Sequence, residues 1–183
     1  MKKGFTLVEL LIVIGVMAIL AAATLVVLNP AEMLKKSRDT RRIQDIDAIS
    51  AAISLYLAEA TSSIDLGTAN QVYCSYSETA ENPCTQTVST GTRDVDGTGW
   101  IPIDFTKIST GAPFSALPVD PVNSKSAGLY YMYACDSSEG TFELNATFES
   151  KYYKDTVDLD GKDGGNNDNR YEKGNDPDLD LIS

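Results

Sequence analysis

Apolar residues are concentrated in the first part of the chain. Residues 10–23 contain no polar side chain, and the apolar segment around them extends from Phe5 to Leu28. A helix of that length would be ~36 Å long at about 1.5 Å per residue, enough to cross a hydrocarbon core of about 30 Å. Asn29 and Pro30 follow directly. Because proline removes a helix hydrogen bond, we predict a kink or a short unwound stretch near 26–30.

A second, amphipathic helix is predicted over residues 29–60. Apolar residues recur there at steps of three and four, which is the spacing of one helical face. They are Ile43, Ile46, Ile49, Ile53, Tyr56 and Leu57. The charged residues before and between them predict a solvated face, with attracting pairs four residues apart such as Arg41 and Asp45. Contact between subunits of a filament is the alternative role for these charges.

Residues 61–183 are predicted to form a small β-rich head. The candidate strands are residues 71–75, 100–105, 129–135 and 141–149, and residues 136–140 form the predicted hairpin loop. Pro102 suggests an edge or a break in the second candidate strand. In the last candidate strand, every second residue is apolar and should lie on one face, namely Phe142, Leu144, Ala146 and Phe148.

Composition narrows the classes of function. The chain has 15 Lys and Arg against 26 Asp and Glu, a net charge of −11, which argues against a nucleic acid or an anionic membrane surface as the main partner. Histidine is absent, which excludes histidine bases, histidine-containing triads and HExxH zinc sites. No GxSxG segment and no nucleophile with a visible base is present. We therefore expect a protein that is not an enzyme.

The N-terminal segment allows two interpretations. Lys2 and Lys3 precede the apolar run, and such a basic leader keeps its own end in the cytoplasm while the rest of the chain is exported. One interpretation is a cleavable signal peptide that ends at the alanines of residues 21–23. Two features count against it. The acidic Glu9 lies inside the apolar segment, and the helical pattern continues past residue 23.

The second interpretation comes from a resemblance. The residues KKGFTLVEL at positions 2–10 resemble the processing motif of type IV prepilins and of the pseudopilins of type II secretion. The resemblance implies that a prepilin peptidase cuts between Gly4 and Phe5 and methylates the new amino group of Phe5. Residues 1–4 would then be a cleaved leader.

The acid at Glu9 has a physical role in this interpretation. Cleavage would free an ammonium group on Phe5, and the helix rises ~6 Å from Phe5 to Glu9. A neighbouring subunit shifted by that distance would bring its ammonium group against the Glu9 carboxylate. Two charges that are costly alone in an apolar environment become tolerable as a pair, which would set the register between helices. The alternative is a Glu9 that only lies at the headgroup interface.

The resemblance also implies a fold of the α+β class. In that fold a long N-terminal helix packs on an antiparallel sheet of about four strands, and the apolar half of the helix is buried in a membrane or a filament. The predicted segments are the leader, an apolar helix, an amphipathic helix and the head, at residues 1–4, 5–28, 29–60 and 61–183. Residues 117–121 (LPVDP) and the tyrosine-rich strand after them also resemble the start of the sheet in pilins.

The three cysteines predict one disulfide bond. Cys74 and Cys84 flank a polar loop, and export to an oxidising compartment favours a bond between them. Cys135 would then remain as a small buried residue of a strand. The pairings of Cys135 with Cys74 or with Cys84 stay open.

An acidic segment rich in glycine, aspartate and asparagine begins at about residue 155. It is predicted to form a C-terminal loop of the head, and it offers a candidate cation site. Its candidate ligands are Asp158, Asp160, Asp163 and Asp168. Ca²⁺ prefers six to eight oxygen ligands from a flexible loop, although the spacing here is not that of an EF-hand. Similarity to major pseudopilins, which carry calcium in a C-terminal loop, supports Ca²⁺ in general terms only. A solvated, disordered tail is the alternative.

These observations lead to one expected function. The chain is expected to be a structural subunit of a type IV pilus or pseudopilus, with copies of itself, prepilin peptidase and the assembly machinery as partners. It would lie in the cytoplasmic membrane as a precursor and in an extracellular or periplasmic filament afterwards. The alternative is a membrane-anchored or secreted calcium-binding or adhesive domain.

Overall fold

The computed structural model describes residues 4–59, 64–78, 82–85 and 92–182. Two long helices, α1 (Leu7–Leu28) and α2 (Pro30–Glu59), precede the head. The head contains β1 (Tyr73–Cys74), β2 (Met132–Asp136), β3 (Thr141–Ala146) and β4 (Tyr171–Gly174). Short 3₁₀ helices at Phe105–Lys107 and Pro177–Leu179 and a single π-helical turn at Tyr152–Val157 connect these elements. Residues 1–3 of the leader and residue 60, the predicted end of the second helix, lie outside the described residues.

The two helices are separated by one residue in a left-handed conformation. Asn29 has a φ of 40° between the last residue of α1 and the first residue of α2. Asparagine tolerates this region better than most residues, and proline is favoured at the first position of a helix. The predicted kink is therefore confirmed, and it lies at Asn29 and Pro30.

The sheet is antiparallel throughout, in the order β1-β2-β3-β4. Cys135 of β2 pairs with Phe142 of β3, and Leu144 of β3 pairs with Lys173 of β4. The hairpin between β2 and β3 closes at Gly140, whose φ of 72° suits glycine. A long helix followed by a four-stranded antiparallel sheet confirms the predicted α+β class.

The apolar face of α2 and one face of the sheet form the core. Ile46, Ile49 and Ile53 are buried in one cluster with Phe142 and Leu144. The remaining members of the predicted strand face, Ala146 and Phe148, lie in the same cluster. Both the periodicity of the helix and the alternation of β3 therefore predicted the correct faces.

Two strand predictions were wrong. Residues 100–105 do not form a strand. They make an isolated bridge at Asp104 and then enter a 3₁₀ helix, and their apolar residues are buried because the loop itself crosses the core. Conversely, β4 lies inside the acidic segment that was predicted to be a loop. Its four residues carry little pattern of their own, and they form a strand because β3 offers a free edge to pair with.

The structure joins Cys74 to Cys84, which fits the predicted pairing, and leaves Cys135 as a free, buried thiol. The bond ties Cys84 to the end of β1. Cys135 lies in the core and its Sγ contacts the carbonyl oxygen of Leu66 at 3.2 Å. Burial raises the pKa of this thiol, so it should be unreactive in the folded protein.

This cysteine pattern gives a measurable expectation. Alkylation of the unfolded, non-reduced protein should add one label, on Cys135, and alkylation after reduction should add three, as read by intact mass. Reduction should lower the free energy of unfolding by about 2.7 kcal/mol in the chain-entropy description of a loop of this size. Three labels without reductant would show that the bond is absent.

Candidate assembly site on the N-terminal helix

The predicted processing junction lies in exposed backbone just before the first helical turn. Phe5 is 79% exposed, and nothing lies within 4 Å of the place where a Cβ on Gly4 would be. Thr6 is extended, with φ of −84° and ψ of 151°, and α1 begins at Leu7. A peptidase could therefore reach the Gly4–Phe5 bond without unfolding any helix.

Glu9 caps the helix on which it lies. Its Oε2 accepts hydrogen bonds from the backbone N–H of Thr6 at 2.9 Å and from the Thr6 hydroxyl at 2.8 Å. In return, the backbone N–H of Glu9 donates to the Thr6 Oγ1 at 3.2 Å. This reciprocal arrangement is a capping box, and it satisfies backbone donors that the first turn of a helix leaves without partners. It also holds the Glu9 carboxylate at the positive end of the helix dipole, beside Phe5.

The rest of α1 is apolar and uncovered. The large apolar side chains that the structure describes on α1 are exposed, from 46% at Val13 to 82% at Val27. Within the described residues, one helical span, Leu7–Glu59, is long and apolar enough to cross a membrane, and α1 is its apolar part. Glu9 is the only charged residue of α1. The pairing of Glu9 with the Phe5 ammonium of a neighbouring subunit stays a prediction.

A buried group of charges joins α2 to the head. We call it the helix–head clamp, and its members are Arg38, Asp39, Arg42, Asp120 and Glu149. Arg42 is fully buried and makes a bidentate hydrogen bond with Asp120. Its Nε donates to Oδ2 at 2.6 Å and its Nη2 donates to Oδ1 at 2.9 Å. Its Nη1 donates to Asp39 at 2.6 Å and to Glu149 at 2.8 Å. One guanidinium group thus connects three separate segments.

The carboxylates of the clamp also bind backbone groups. The Asp39 carboxylate accepts the N–H groups of Glu149 and Ser150, just after β3. Arg38 donates from Nε to Glu149 at 2.6 Å, and this hydrogen bond holds the pKa of the Glu149 carboxyl below its ordinary value. Burial alone would lower the pKa of Arg42, but the hydrogen bonds to its acidic partners raise it above the ordinary value. Arg42 and Glu149 are therefore both charged at neutral pH.

The clamp corrects one prediction about α2. The pair of Arg41 and Asp45 is present at 3.6 Å, as expected for a solvated face. Asp39 and Arg42, however, have no exposed surface. Sequence reasoning placed them in solvent because their partners, Asp120 and Glu149, lie far along the chain. The only local signal was Asp120 itself, a charged residue between two prolines in the LPVDP segment.

The four predicted calcium ligands are not arranged as a metal-binding group among the described residues. Asp158 forms an ion pair with Lys162 at 3.0 Å, Asp160 is buried, and Asp168 is exposed. Asp163 accepts the backbone N–H groups of Gly165 and Glu172. Within the described ranges, no three acidic or cysteine side chains are arranged to hold a metal ion. Ca²⁺ binding by this set stays a prediction. The segment itself is folded, since it contains β4, so the alternative of a disordered tail is wrong.

The comparison with protein families decides the nature of the N-terminal segment. Residues 1–25 match the family described as the prokaryotic N-terminal methylation motif. The chain therefore begins with a prepilin-type methylation motif. This motif is the hallmark of type IV pilin and pseudopilin prepilins, so the predicted resemblance is confirmed. No curated protein and no solved structure matches the chain. The family match covers the N-terminal segment, residues 1–25, and not the head.

Proposed function

We propose that this protein is a structural subunit of a type IV pilus or pseudopilus, processed between Gly4 and Phe5 and polymerised through α1. The observation that carries the proposal is the combination of the methylation motif with an uncovered apolar helix that has one acid near its start. No enzymatic role is proposed.

The exposed surface of α1 is the physical reason for polymerisation. Exposed apolar surface is less stable than buried apolar surface by about 25 cal/mol per Å². A helix that is apolar on all sides is therefore stable only where lipid or other apolar side chains shield it from water. In the precursor, the lipid of the cytoplasmic membrane would shield it. In the filament, the α1 helices of other copies would take its place, and Glu9 would then face an environment where only an opposite charge makes it tolerable.

The helix–head clamp supports the same role from the other end of the molecule. A filament subunit must transmit the position of its helix to its head, so that every head repeats with the same orientation. Arg42 links α2 to the segment after β3 and to the loop at Asp120 by short, buried hydrogen bonds. The kink at Asn29 then separates the polymerising helix from a helix that is fixed to the head.

The partners follow from this role. They are further copies of the chain, a prepilin peptidase, and the machinery that moves subunits out of the membrane. The precursor would lie in the cytoplasmic membrane, and the assembled filament would be periplasmic or extracellular.

Processing can be tested by intact mass and N-terminal sequencing of the mature protein. We expect a chain that lacks residues 1–4 and carries one extra methyl group on Phe5. Gly4→Val should remain at precursor mass, because the peptidase of this family cuts after a glycine. Gly15→Val is the matched control, since neither glycine has a neighbour within 4 Å of an added Cβ and only Gly4 lies at the junction. A mature chain that begins at Thr24 would contradict the proposal and favour a secreted domain.

A further inference from the structure

The side of β3 that faces away from α2 carries polar residues in a buried position. Thr141, Glu143 and Asn145 alternate with the core residues of the strand and therefore share its outer face. Such a row normally faces water. Here Glu143 and Asn145 have no exposed surface. They are buried because the last described residues lie over them. Ile182 packs in one cluster with Met132 and Ala134 of β2. Its backbone N–H donates to Glu143 Oε2 at 3.0 Å.

A polar side chain of the neighbouring strand joins Glu143 and Asn145. Glu172 of β4 lies directly opposite Asn145 in the strand register, and it is 2% exposed. The Asn145 amide donates from Nδ2 to Glu172 Oε1 at 3.1 Å, and the N–H of Asn167 donates to Glu172 Oε2 at 2.9 Å. Residues from β3, β4 and the loop before β4 therefore meet at one place.

The group lacks the donors that its oxygens need. Three buried side-chain oxygens have no hydrogen-bond partner among the described residues, and all three lie in the outer row of β3: Thr141 Oγ1, Glu143 Oε1 and Asn145 Oδ1. A buried acceptor without a partner costs about 1–3 kcal/mol, and more if it is charged. This row is therefore where the fold requires something that donates a proton or carries a positive charge.

The two acidic side chains of the group have no ion-pair partner in the ranges that the structure describes. No lysine or arginine in the described part of the chain forms an ion pair with Glu143 or Glu172. A further acid, Asp163, lies beside the group, and its Oδ2 accepts the backbone N–H of Glu172 at 2.6 Å. The guanidinium group of Arg170 lies on the same face, with Nη1 2.8 Å from the Met132 Sδ. Burial, reinforced by the neighbouring Glu172 carboxylate, raises the pKa of Glu143 to about 8. Burial also raises the pKa of Glu172.

We propose that Glu143, Asn145 and Glu172 form an internal site for a divalent cation of the hard, oxygen-preferring class, represented by Ca²⁺. Carboxylate and amide oxygens are the ligands that such ions prefer, and the group contains no sulfur or imidazole that would favour zinc. The ion would contact the two unpartnered oxygens, Glu143 Oε1 and Asn145 Oδ1, and offset the charge of the two carboxylates. Main-chain oxygens and water would complete its coordination.

This site differs from the aspartate set predicted from the sequence. None of its three residues belongs to that set, and Asp163 touches it only through the backbone of Glu172. Gly165 supports the close packing of the loop over the site, because a Cβ at that position would collide with the Glu172 carboxylate. An ion held there would tie the loop around residue 165 and the segment at Ile182 to the sheet.

The test is Ca²⁺ titration of the full-length chain in detergent, after treatment with chelator and at fixed pH. Calorimetry measures binding, and the fluorescence of Trp100, the only tryptophan, measures thermal unfolding. We expect Ca²⁺ to raise the midpoint of unfolding in the unmodified protein. Glu143→Gln and Glu172→Gln should each weaken Ca²⁺ binding at least tenfold. Glu143→Gln should nevertheless unfold in chelator no earlier than the unmodified protein, because the amide replaces a buried acid by a neutral group of the same shape.

The matched control is the double variant Asp158→Asn/Asp168→Asn, which removes two predicted ligands from the loop and leaves the internal site intact. It should bind Ca²⁺ as the unmodified protein does. Loss of binding in this control with normal binding in Glu143→Gln would overturn the internal site and favour the aspartate set. Absence of any Ca²⁺ or Mg²⁺ response in the unmodified protein would also overturn it, and would show that a proton alone holds the two carboxylates together.

Discussion

Replacing Arg42 with alanine should lower the free energy of unfolding of the head by about 3–5 kcal/mol. The reason is the environment of the charge. Arg42 and Asp39 are fully buried, and Asp120 is nearly so. Without the guanidinium group, Asp120 would retain only the backbone N–H groups of Val122 and Asn123. Removal of one partner from a buried ion pair lowers the free energy of unfolding by more than the intact pair contributes to it, because the remaining charges stay buried without an opposite charge.

Trp100 makes this loss measurable. Its ring is buried and its Nε1 donates to the carbonyl oxygen of Pro118 at 2.9 Å, two residues before Asp120. Urea unfolding of the full-length protein in detergent, followed by tryptophan fluorescence, would therefore report on the part of the head that the clamp holds.

Arg41→Ala is the matched control for this experiment. It removes the same type of side chain one position earlier. The Arg41 side chain is exposed, and its partner Asp45 keeps a hydrogen bond from the Tyr131 hydroxyl, so the loss should cost no more than about 0.5 kcal/mol. Equal destabilisation by the two substitutions would show that the clamp contributes nothing beyond surface charge.

Replacing Glu9 with alanine should leave insertion into the membrane intact and abolish or strongly reduce filament formation. Insertion should not suffer, because the carboxylate is the one charged group of α1 and its removal makes the helix more apolar. Assembly should suffer, because the Phe5 ammonium of the processed subunit would lose its partner in the apolar interior of the filament. The measurement is the yield of surface filaments in cells that lack the unmodified subunit, with membrane fractionation to follow the precursor.

The structure adds a control that the sequence did not suggest. Glu9 also caps α1 through Thr6, so Glu9→Ala removes a cap as well as a charge. Thr6→Ala removes the hydroxyl contribution to the capping box and keeps the carboxylate. Filament yield should therefore remain close to normal in Thr6→Ala. If both variants failed equally, the cap and not the charge pair would be the function of Glu9.

The two ends of the molecule have separable roles in this description. Glu9 lies on α1 and contacts Thr6 of the same helix, so its loss should not alter the stability of the head. Arg42 acts within one subunit, so its loss should destabilise the head before any filament forms. Measuring both quantities for both variants would separate assembly from folding.

The sequence by itself determined the features that depend on neighbouring residues. The methylation motif, the length of α1, the break at Asn29 and the apolar face of α2 are all encoded within a few turns of helix. The alternation of Phe142, Leu144 and Ala146 likewise identified the core face of β3. In each case the period of the side chains is fixed by local backbone geometry, at 3.6 residues for a helix and two for a strand, so no knowledge of distant partners was required.

Only the tertiary structure decided the features that depend on partners far along the chain. The Arg42 guanidinium contacts Asp120 across a separation of 78 residues, and Arg38 contacts Glu149 across 111. The charged residues of α2 that the pattern assigned to a solvated face therefore form the helix–head clamp. The outer row of β3 was polar by pattern and is buried because residues near Ile182 cover it. Residues 171–174 form a strand because they pair with the edge of β3. Periodicity states which residues share a face, but the burial of that face depends on which distant segment covers it.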